Sequence, residues 1–347
     1  MYVHRLHTVD GFVAFDFADA RVSAGGTRYA ADVSEREAEL LARAMTYKFA
    51  VLGRQTGGAK GAVRGTPEEK SAVMQRFCEE VRPMSRSGKF LTGADLGTNY
   101  DDFASLRDPN EPRHVMGTAV NGTPLEDLVT GLGVIAGAEA AIGSLEGLTV
   151  ALEGFGKVGG GVAREAVRRG ARVIAISTID GCVYDPAGLD VELMLALRAS
   201  HGDGFVLHAN GKSNDDPRAL FDVPADVLIP GARTGVITQQ IAAKVQARWI
   251  APAANAPYTA DGVEVLEQRG IRYLPDFVLN AGAVVGFICG ETTAAGVLNE
   301  AERVVSSLMS EASVDPAGAY AGACRIAERF LAMWREAAGM PSGPPLA

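Results

Sequence analysis

The run LTVALEGFGKVG, residues 148–159, joins a strand to a glycine-rich turn, and its reading decides the fold. Leu148 to Leu152 is close to continuously apolar, as a strand covered on both faces of a parallel sheet must be. Glycines at 154, 156 and 159 give the spacing GxGxxG. A helix over 163–169 and a second apolar strand over 172–176 are expected next, so the motif sits inside a strand–helix–strand unit. Each glycine has a job in such a unit. Gly154 permits the tight turn, Gly156 lets backbone approach a pyrophosphate, and Gly159 lets helix and strand pack closely. The helix N-terminus then offers unsatisfied N–H groups and positive partial charge to the anion. Phe155, Lys157 and Val158 complete the turn and are expected beside the dinucleotide. The bland alternative is a plain strand-to-helix turn that binds nothing.

Working outward, strands are expected at 227–229 and 249–251, and a helix of small residues over 128–142 precedes the motif. Strand and helix in alternation predict a doubly wound sheet. The residue that reads the cofactor ribose belongs at the end of the second strand, in Ser177-Thr178-Ile179-Asp180. Thr178 stands where an Asp or Glu would hold the ribose hydroxyls of NAD, and a hydroxyl there neither repels nor grips a 2′-phosphate. Asp180 is an alternative acid, so both NAD and NADP stay open.

The other half reads differently. Residues 12–17 suggest a strand. Ser34 with Glu37 suggests a capped helix carrying Ala38, Leu41, Ala42 and Met45 on one face. Gly57 to Gly61 reads as a glycine loop, and Thr66-Pro67 as the start of another helix. The turn-rich stretch 107–124 suggests a domain boundary. The expected architecture is α/β in two domains: 1–127 for substrate and assembly, and 128–290 for the dinucleotide. Helices over 291–347 return to the first domain, with a disordered tail at 339–347. A chain of 347 residues exceeds one ordinary core, which agrees with two domains.

Composition excludes several classes. The net charge of -9, with basic residues scattered, disfavours nucleic acid and anionic membranes. Cys78, Cys182, Cys289 and Cys324 show no paired spacing for zinc or redox chemistry, and five scattered histidines suggest no metal site. The longest apolar stretch, 277–290, is too short to span a bilayer. A cytoplasmic protein without a membrane segment is expected.

Three segments of the first half look chemical: MTYK (45–48), GGAKG (57–61) and TGADLGT (92–98). Singly, Lys48 reads as a helix C-terminal lysine, Lys60 as a solvated charge and Asp95 as a turn residue. Together with AGGTR (24–28), VTG (129–131), GFGKVG, AAN (253–255) and PDFVLNAG (275–282), in collinear order, they resemble the amino-acid dehydrogenase superfamily acting on glutamate, leucine, valine and phenylalanine.

The resemblance implies NAD(P)-dependent reversible oxidative deamination of an L-amino acid to its 2-oxo acid and ammonia, by a homo-oligomer. Lys48 would hold the substrate α-carboxylate. Lys60 would be the catalytic lysine and Asp95 the proton shuttle. Gly25 and Gly26 would line the substrate, Asn280 would fix its carboxylate and amino group, and Thr130 and Asn255 would position the nicotinamide. In glutamate-specific members a lysine before the Gly-Gly pair receives the side-chain carboxylate; here that position is Ala24. A hydroxyl-bearing position falls on Phe287, which reads equally as a core phenylalanine or as a side chain stacking on substrate. Gly93, where leucine-specific members carry Ala, resembles, together with Ala24, the roomier pocket of phenylalanine-specific members. A bulky apolar substrate is therefore expected. Arg54, Lys157 and Arg233 depart from the family pattern: Lys157 reads as reaching a phosphate or capping solvent, while Arg54 and Arg233 keep an acidic or modified amino acid as the alternative. A silent dinucleotide-binding regulatory paralogue and a 2-hydroxy-acid enzyme rank lower, because Lys48, Lys60 and Asp95 are intact and no histidine sits in a motif.

Overall fold

The computed structural model describes residues 1–335, 340–341 and 343–347, divided into two compact units. The first comprises Met1–Gly117 and Cys324–Pro345, the second Thr118–Ala323 and Leu346–Ala347.

The first unit opens with β1 (Tyr2–Arg5) and β2 (Gly11–Phe15), followed by β3 (Ser23–Ala24), β4 (Thr27–Tyr29), α1 (Glu35–Val51), β5 (Gly57–Val63) and α2 (Lys70–Arg86). Strand β5 is the centre of the sheet, antiparallel to β2 and parallel to β3 and β4. This corrects the expected loop at 57–61: the glycine-rich segment is a wholly buried strand. Neighbour pairing on both sides overrides its poor intrinsic strand propensity. Alternation along β5 sends Ala59 and Val63 into a core with Val73, Phe77 and Val81 of α2. Ala62 faces the other way, with Ala38 and Ala42 of α1. Helix α2 starts at Lys70 rather than at Pro67, because residues 67–69 form a turn.

The second unit begins with a small hairpin, β6 (Ala119–Val120) and β7 (Thr123–Pro124), and α3 (Leu125–Ile142). Then come β8 (Thr149–Glu153), α4 (Lys157–Arg168), β9 (Arg172–Thr178), β10 (Gly181–Tyr184), α5 (Val191–His201), β11 (Lys212–Asn214) and β12 (Val227–Pro230). It continues with α6 (Gln239–Lys244), β13 (Trp249–Ile250), α7 (Ala260–Gln268), β14 (Arg272–Tyr273), α8 (Asp276–Leu279), α9 (Gly282–Ile288) and α10 (Ala294–Ser313). Helix α11 (Ala319–Leu331) follows. The sheet order is β11-β10-β9-β8-β12-β13-β14. Strands β9, β8, β12, β13 and β14 are parallel; β10 runs antiparallel to β9, and β11 antiparallel to β10. Counted from β8, with the edge strand β11 left out, this is the doubly wound order 3-2-1-4-5-6 with the third strand reversed. The reversal follows from chain length: only Ile179 and Asp180 join β9 to β10, enough for a hairpin and far too few for a crossover. Order reverses at β8, so the turn after it lies at the switch point where such sheets bind ligands.

Three expectations on organisation need correction. A boundary at 127 would fall within α3, and the division lies ten residues earlier. Helix α10 stays in the second unit, packed on α3, so the returning segment starts at Cys324 and not at 291. In the tail, residue 339 and residue 342 lie outside the described residues. The Ala347 N–H donates to the Tyr258 carbonyl at 2.8 Å, so the last residue is held. Among the described residues no helix is long and apolar enough to cross a membrane, and no cluster of three His, Cys, Asp or Glu suits a metal ion.

Candidate active site

Lys60 projects from the middle of β5, where it pairs in register with Ala14, and its side chain is 3% exposed. Its Nζ lies 2.9 Å from Asp95 Oδ2. Asp95 belongs to a loop laid along β3 and β4. The Gly25 N–H donates to the Leu91 carbonyl, Thr27 N–H to Gly93 and Tyr29 N–H to Leu96. Thr98 locks the turn: its Oγ1 accepts from the Asp95 N–H at 2.8 Å and donates to the Thr27 carbonyl at 2.9 Å. The acid therefore sits on a braced backbone.

Burial is the largest influence on both groups, and it acts against charge. It pushes the Lys60 ammonium below the ordinary lysine value, with Arg28 adding to the fall and Asp95 opposing it. For Asp95 the two cations overcome burial. Lys60 and Arg28 hold its carboxyl well below the usual carboxylate range.

Lys48 lies in the last turn of α1 and is also buried. Gly58 explains how this helix comes so near β5. A Cβ there would lie 1.8 Å from the Ala42 carbonyl oxygen and 2.4 Å from the Thr46 nitrogen. Gly25 and Gly26 are equally tight; a Cβ would lie 1.7 Å from the Ala59 oxygen and 2.7 Å from the Ala94 oxygen, respectively. Gly93 contrasts with all of these, since a Cβ there meets nothing within 4 Å. Ala24 bridges Leu91 beside it, and the side chains of Leu91 and Leu96 are exposed. The first unit thus brings Lys60, Asp95, Gly25, Gly26, Ala24 and Gly93 into one neighbourhood and seats α1, with Lys48, against its strand.

In the second unit Gly154 adopts φ +87°, the region only glycine takes easily, and the Ala232 Cβ would be 2.9 Å from any Cβ placed on it. A Cβ at Gly159 would lie 2.2 Å from the Gly154 oxygen, so this glycine seats α4 on β8. At Gly156 a Cβ would meet nothing. The open space at the N-cap of α4, with Lys157 exposed at its first position, fits a pyrophosphate. Phe155 corrects an expectation. Its ring is buried against Phe205 at 5.4 Å between centroids, so only its backbone serves the turn. Val158 is half-buried. Ser177 is buried, and Thr178 donates through Oγ1 to the Asp203 carbonyl at 2.7 Å while accepting from the Asp180 N–H at 3.2 Å.

Thr130 donates to the Glu126 carbonyl one helical turn back. Asn280 Nδ2 donates to the carbonyls of Ala253 and Ala254 and to Asn255 Oδ1, at 3.0 to 3.2 Å. Asp276 accepts the Ala256 N–H at 2.8 Å. The PDFVLNAG segment therefore holds the loop that carries Asn255. Phe287 is 41% exposed, which removes the core reading of this residue.

Two features escaped the sequence reading. Arg28 and Glu37 extend the Lys60–Asp95 pair into a four-residue chain of charge. The signal was present, since Arg28 lies in the AGGTR motif and a charged residue in a short strand just after a glycine pair invites a buried partner. The second is Glu153, which ends β8 and accepts the N–H groups of Gly231 and Ala232 at 2.9 Å each. Burial raises its pKa against those bonds. Glu153 braces the loop that carries Arg233 against the glycine turn.

A doubly wound sheet with an open glycine turn at its switch point is the architecture of dinucleotide-binding proteins. Comparison with known proteins gives the family. Residues 122–314 match the Glutamate/Leucine/Phenylalanine/Valine dehydrogenase family and residues 4–111 its dimerisation domain. Glutamate dehydrogenase A2 of Halobacterium salinarum is 34% identical over 282 residues, covering 75% of this chain and 67% of that protein. The NAD-specific glutamate dehydrogenase of Staphylococcus aureus strain COL is 30% identical over 278 residues, covering 75% and 66%. The chain thus spans about two thirds of the length of these relatives. Among solved structures, the hetero-hexameric glutamate dehydrogenase of Thermus thermophilus in its leucine-bound form aligns with a TM-score of 0.76. That alignment has 26% identity and covers 92% of this chain and 83% of the other. The chain belongs to the Glu/Leu/Phe/Val dehydrogenase family; it is an amino-acid dehydrogenase, of a family that uses NAD or NADP.

Proposed function

We propose that the protein catalyses reversible oxidative deamination of an L-amino acid with a bulky apolar side chain, giving a 2-oxo acid and ammonia. The observation that carries the chemistry is the buried Lys60–Asp95 pair. Asp95, held ionised, accepts a proton from the substrate ammonium and leaves a free amine. When bound, the dinucleotide supplies the hydride acceptor, and the turn Gly154–Gly159 with Thr178 is the part of this chain suited to hold it. Lys60, made less basic by burial, takes a proton from the water that attacks the imine carbon. As the resulting carbinolamine collapses, protonated Asp95 gives its proton to the departing nitrogen, which leaves as ammonia, and the hydroxyl proton is lost to solvent. The Lys60 ammonium hydrogen-bonds the forming carbonyl oxygen and then releases its own proton to solvent. Lys48 pairs with the α-carboxylate as a point charge. Thr130 and Asn255 position the nicotinamide end, and Asn280 acts with them through the 253–255 loop it holds.

The side-chain preference rests on Ala24, Gly93, Leu91 and Leu96. Ala24 occupies the position at which glutamate enzymes of this family carry a lysine, and Gly93 leaves open space. A side-chain carboxylate placed there finds no cation at position 24, while the apolar Leu91 and Leu96 suit an apolar side chain. Phe287 offers an exposed ring for an aromatic substrate. Glutamate is the second reading, favoured by the names of the two relatives. The test is reduction of NAD and of NADP across the L-amino acids at alkaline pH. Turnover with leucine, phenylalanine or a similar side chain at least tenfold above glutamate supports the proposal. Turnover with glutamate alone would replace it with the second reading.

A further inference from the structure

Arg28 sits at the centre of β4, paired in register with Ala62, so it shares the sheet face of Lys60. Its side chain is 9% exposed, and both ends of its guanidinium are engaged. Nε donates to Asp95 Oδ2 at 3.0 Å, and Nη1 donates to Glu37 Oε1 at 2.5 Å. Glu37 lies in the first turn of α1. There it accepts from Arg28 instead of closing a capping box on Ser34, whose Oγ still accepts the Glu37 N–H. Lys60 and Arg28 meet the same carboxylate oxygen, while Asp95 Oδ1 takes no hydrogen bond among the described residues. A planar fork with one arm on an acid and the other on a helix is a rigid way to aim a carboxylate, which a lysine cannot reproduce.

We propose that Arg28, held by Glu37, is a positioning residue for the reaction: it pins Asp95 Oδ2, leaves Oδ1 as the proton-accepting oxygen, and sets the charge around Lys60. This rests on the amino-acid dehydrogenase reading above. Arg28 touches neither substrate nor cofactor in this account; it acts through Asp95 and Lys60. The charged groups that bear on Lys60 are Asp95 from its loop, Arg28 from β4 and Glu37 from α1. Their signs make the inference testable, because Arg28 and Glu37 act on Lys60 in opposite directions.

The experiment is the pH profile of kcat/KM for deamination in the wild type and in Arg28→Gln, Glu37→Gln and Arg28→Lys. The titration of Lys60, followed by 13Cε-lysine NMR and assigned with Lys60→Ala, accompanies it. Arg28→Gln removes a repelling cation, so the acid limb and the Lys60 titration both move up by about one pH unit. Glu37→Gln removes an attracting anion, so both move down. Arg28→Lys keeps the charge but loses the fork, so the limb stays near the wild-type value while kcat falls about tenfold. A residue that only supported the fold would not shift the two neutralised variants in opposite directions. Limbs and titrations that stay put, or move together, overturn the proposal. Glu37 lies on the surface of α1, so its variant remains informative if Arg28→Gln does not fold. If the wild type turns over no amino acid while the two NMR shifts still oppose each other, the functional reading fails and the placement of Arg28 stands.

Discussion

Two regions, the strand and helix around Lys60 and the N-cap of α4, use glycine for opposite purposes. Around Lys60, Gly25, Gly26 and Gly58 stand where a Cβ would strike backbone at 1.7 to 2.7 Å; they exist so that strand, helix and loop can touch. At the turn after β8, Gly156 faces empty space, and Gly93 in the first unit does the same. The first kind of glycine builds a site from the chain's own charges. The second keeps room for something the chain does not supply. The lesson is that a glycine motif reads as packing or as ligand space only once its neighbours are known.

Substitution breaks or sharpens this contrast. The largest effect is expected at Gly58→Ala. Overpacking against Ala42 and Thr46 should destabilise the fold by about 1–3 kcal/mol, or more where backbone cannot shift, and lower Tm by several degrees in thermal unfolding. Gly156→Ala should leave Tm within about a degree yet weaken dinucleotide binding roughly tenfold, read by calorimetric titration, because the methyl occupies ligand space. If Gly156→Ala unfolds the protein and Gly58→Ala does not, the assignment of the two roles is reversed. Gly93→Ala should spare stability and shift kcat/KM toward shorter side chains by about tenfold, the scale of one methylene in a pocket. An unchanged substrate ranking would remove Gly93 from the pocket. The smallest change is expected at Thr178→Asp. A carboxylate repels a 2′-phosphate, so the KM for NADP should rise several-fold while that for NAD holds. Equal changes for both cofactors would place the ribose elsewhere.

How much of this was legible in the sequence follows the same division. The second unit announced itself because apolar strands and the 154–159 spacing are local signals, and strands 149–153, 172–178 and 227–230 formed where apolar runs stood. The reversed β10 went unread, since a two-residue connection counts only once both flanking strands are recognised. The first unit was harder. Gly57–Gly61 has the composition of a loop and becomes a central strand only through partners at 11–15, 23–24 and 27–29. Lys60 and Asp95 were found through collinear motifs, and no local pattern of theirs shows that they meet at 2.9 Å. Arg28 and Glu37 were missed for the same reason, because their coupling runs across a strand and a helix. Phe155 was assigned to the cofactor by its place in the turn, and its ring went to the core with Phe205.

The most direct test is to measure turnover and dinucleotide affinity on one preparation of Asp95→Asn, beside the wild type. The central claim is that the Lys60–Asp95 pair performs the chemistry and the glycine turn of the other unit only binds. It predicts a fall in kcat on the order of a hundredfold or more, with the dinucleotide Kd within about twofold of the wild type, in a protein that still folds but with a lower Tm, because Lys60 and Arg28 lose their shared anion. Retained turnover, or an affinity that falls in step with it, would contradict that division of labour.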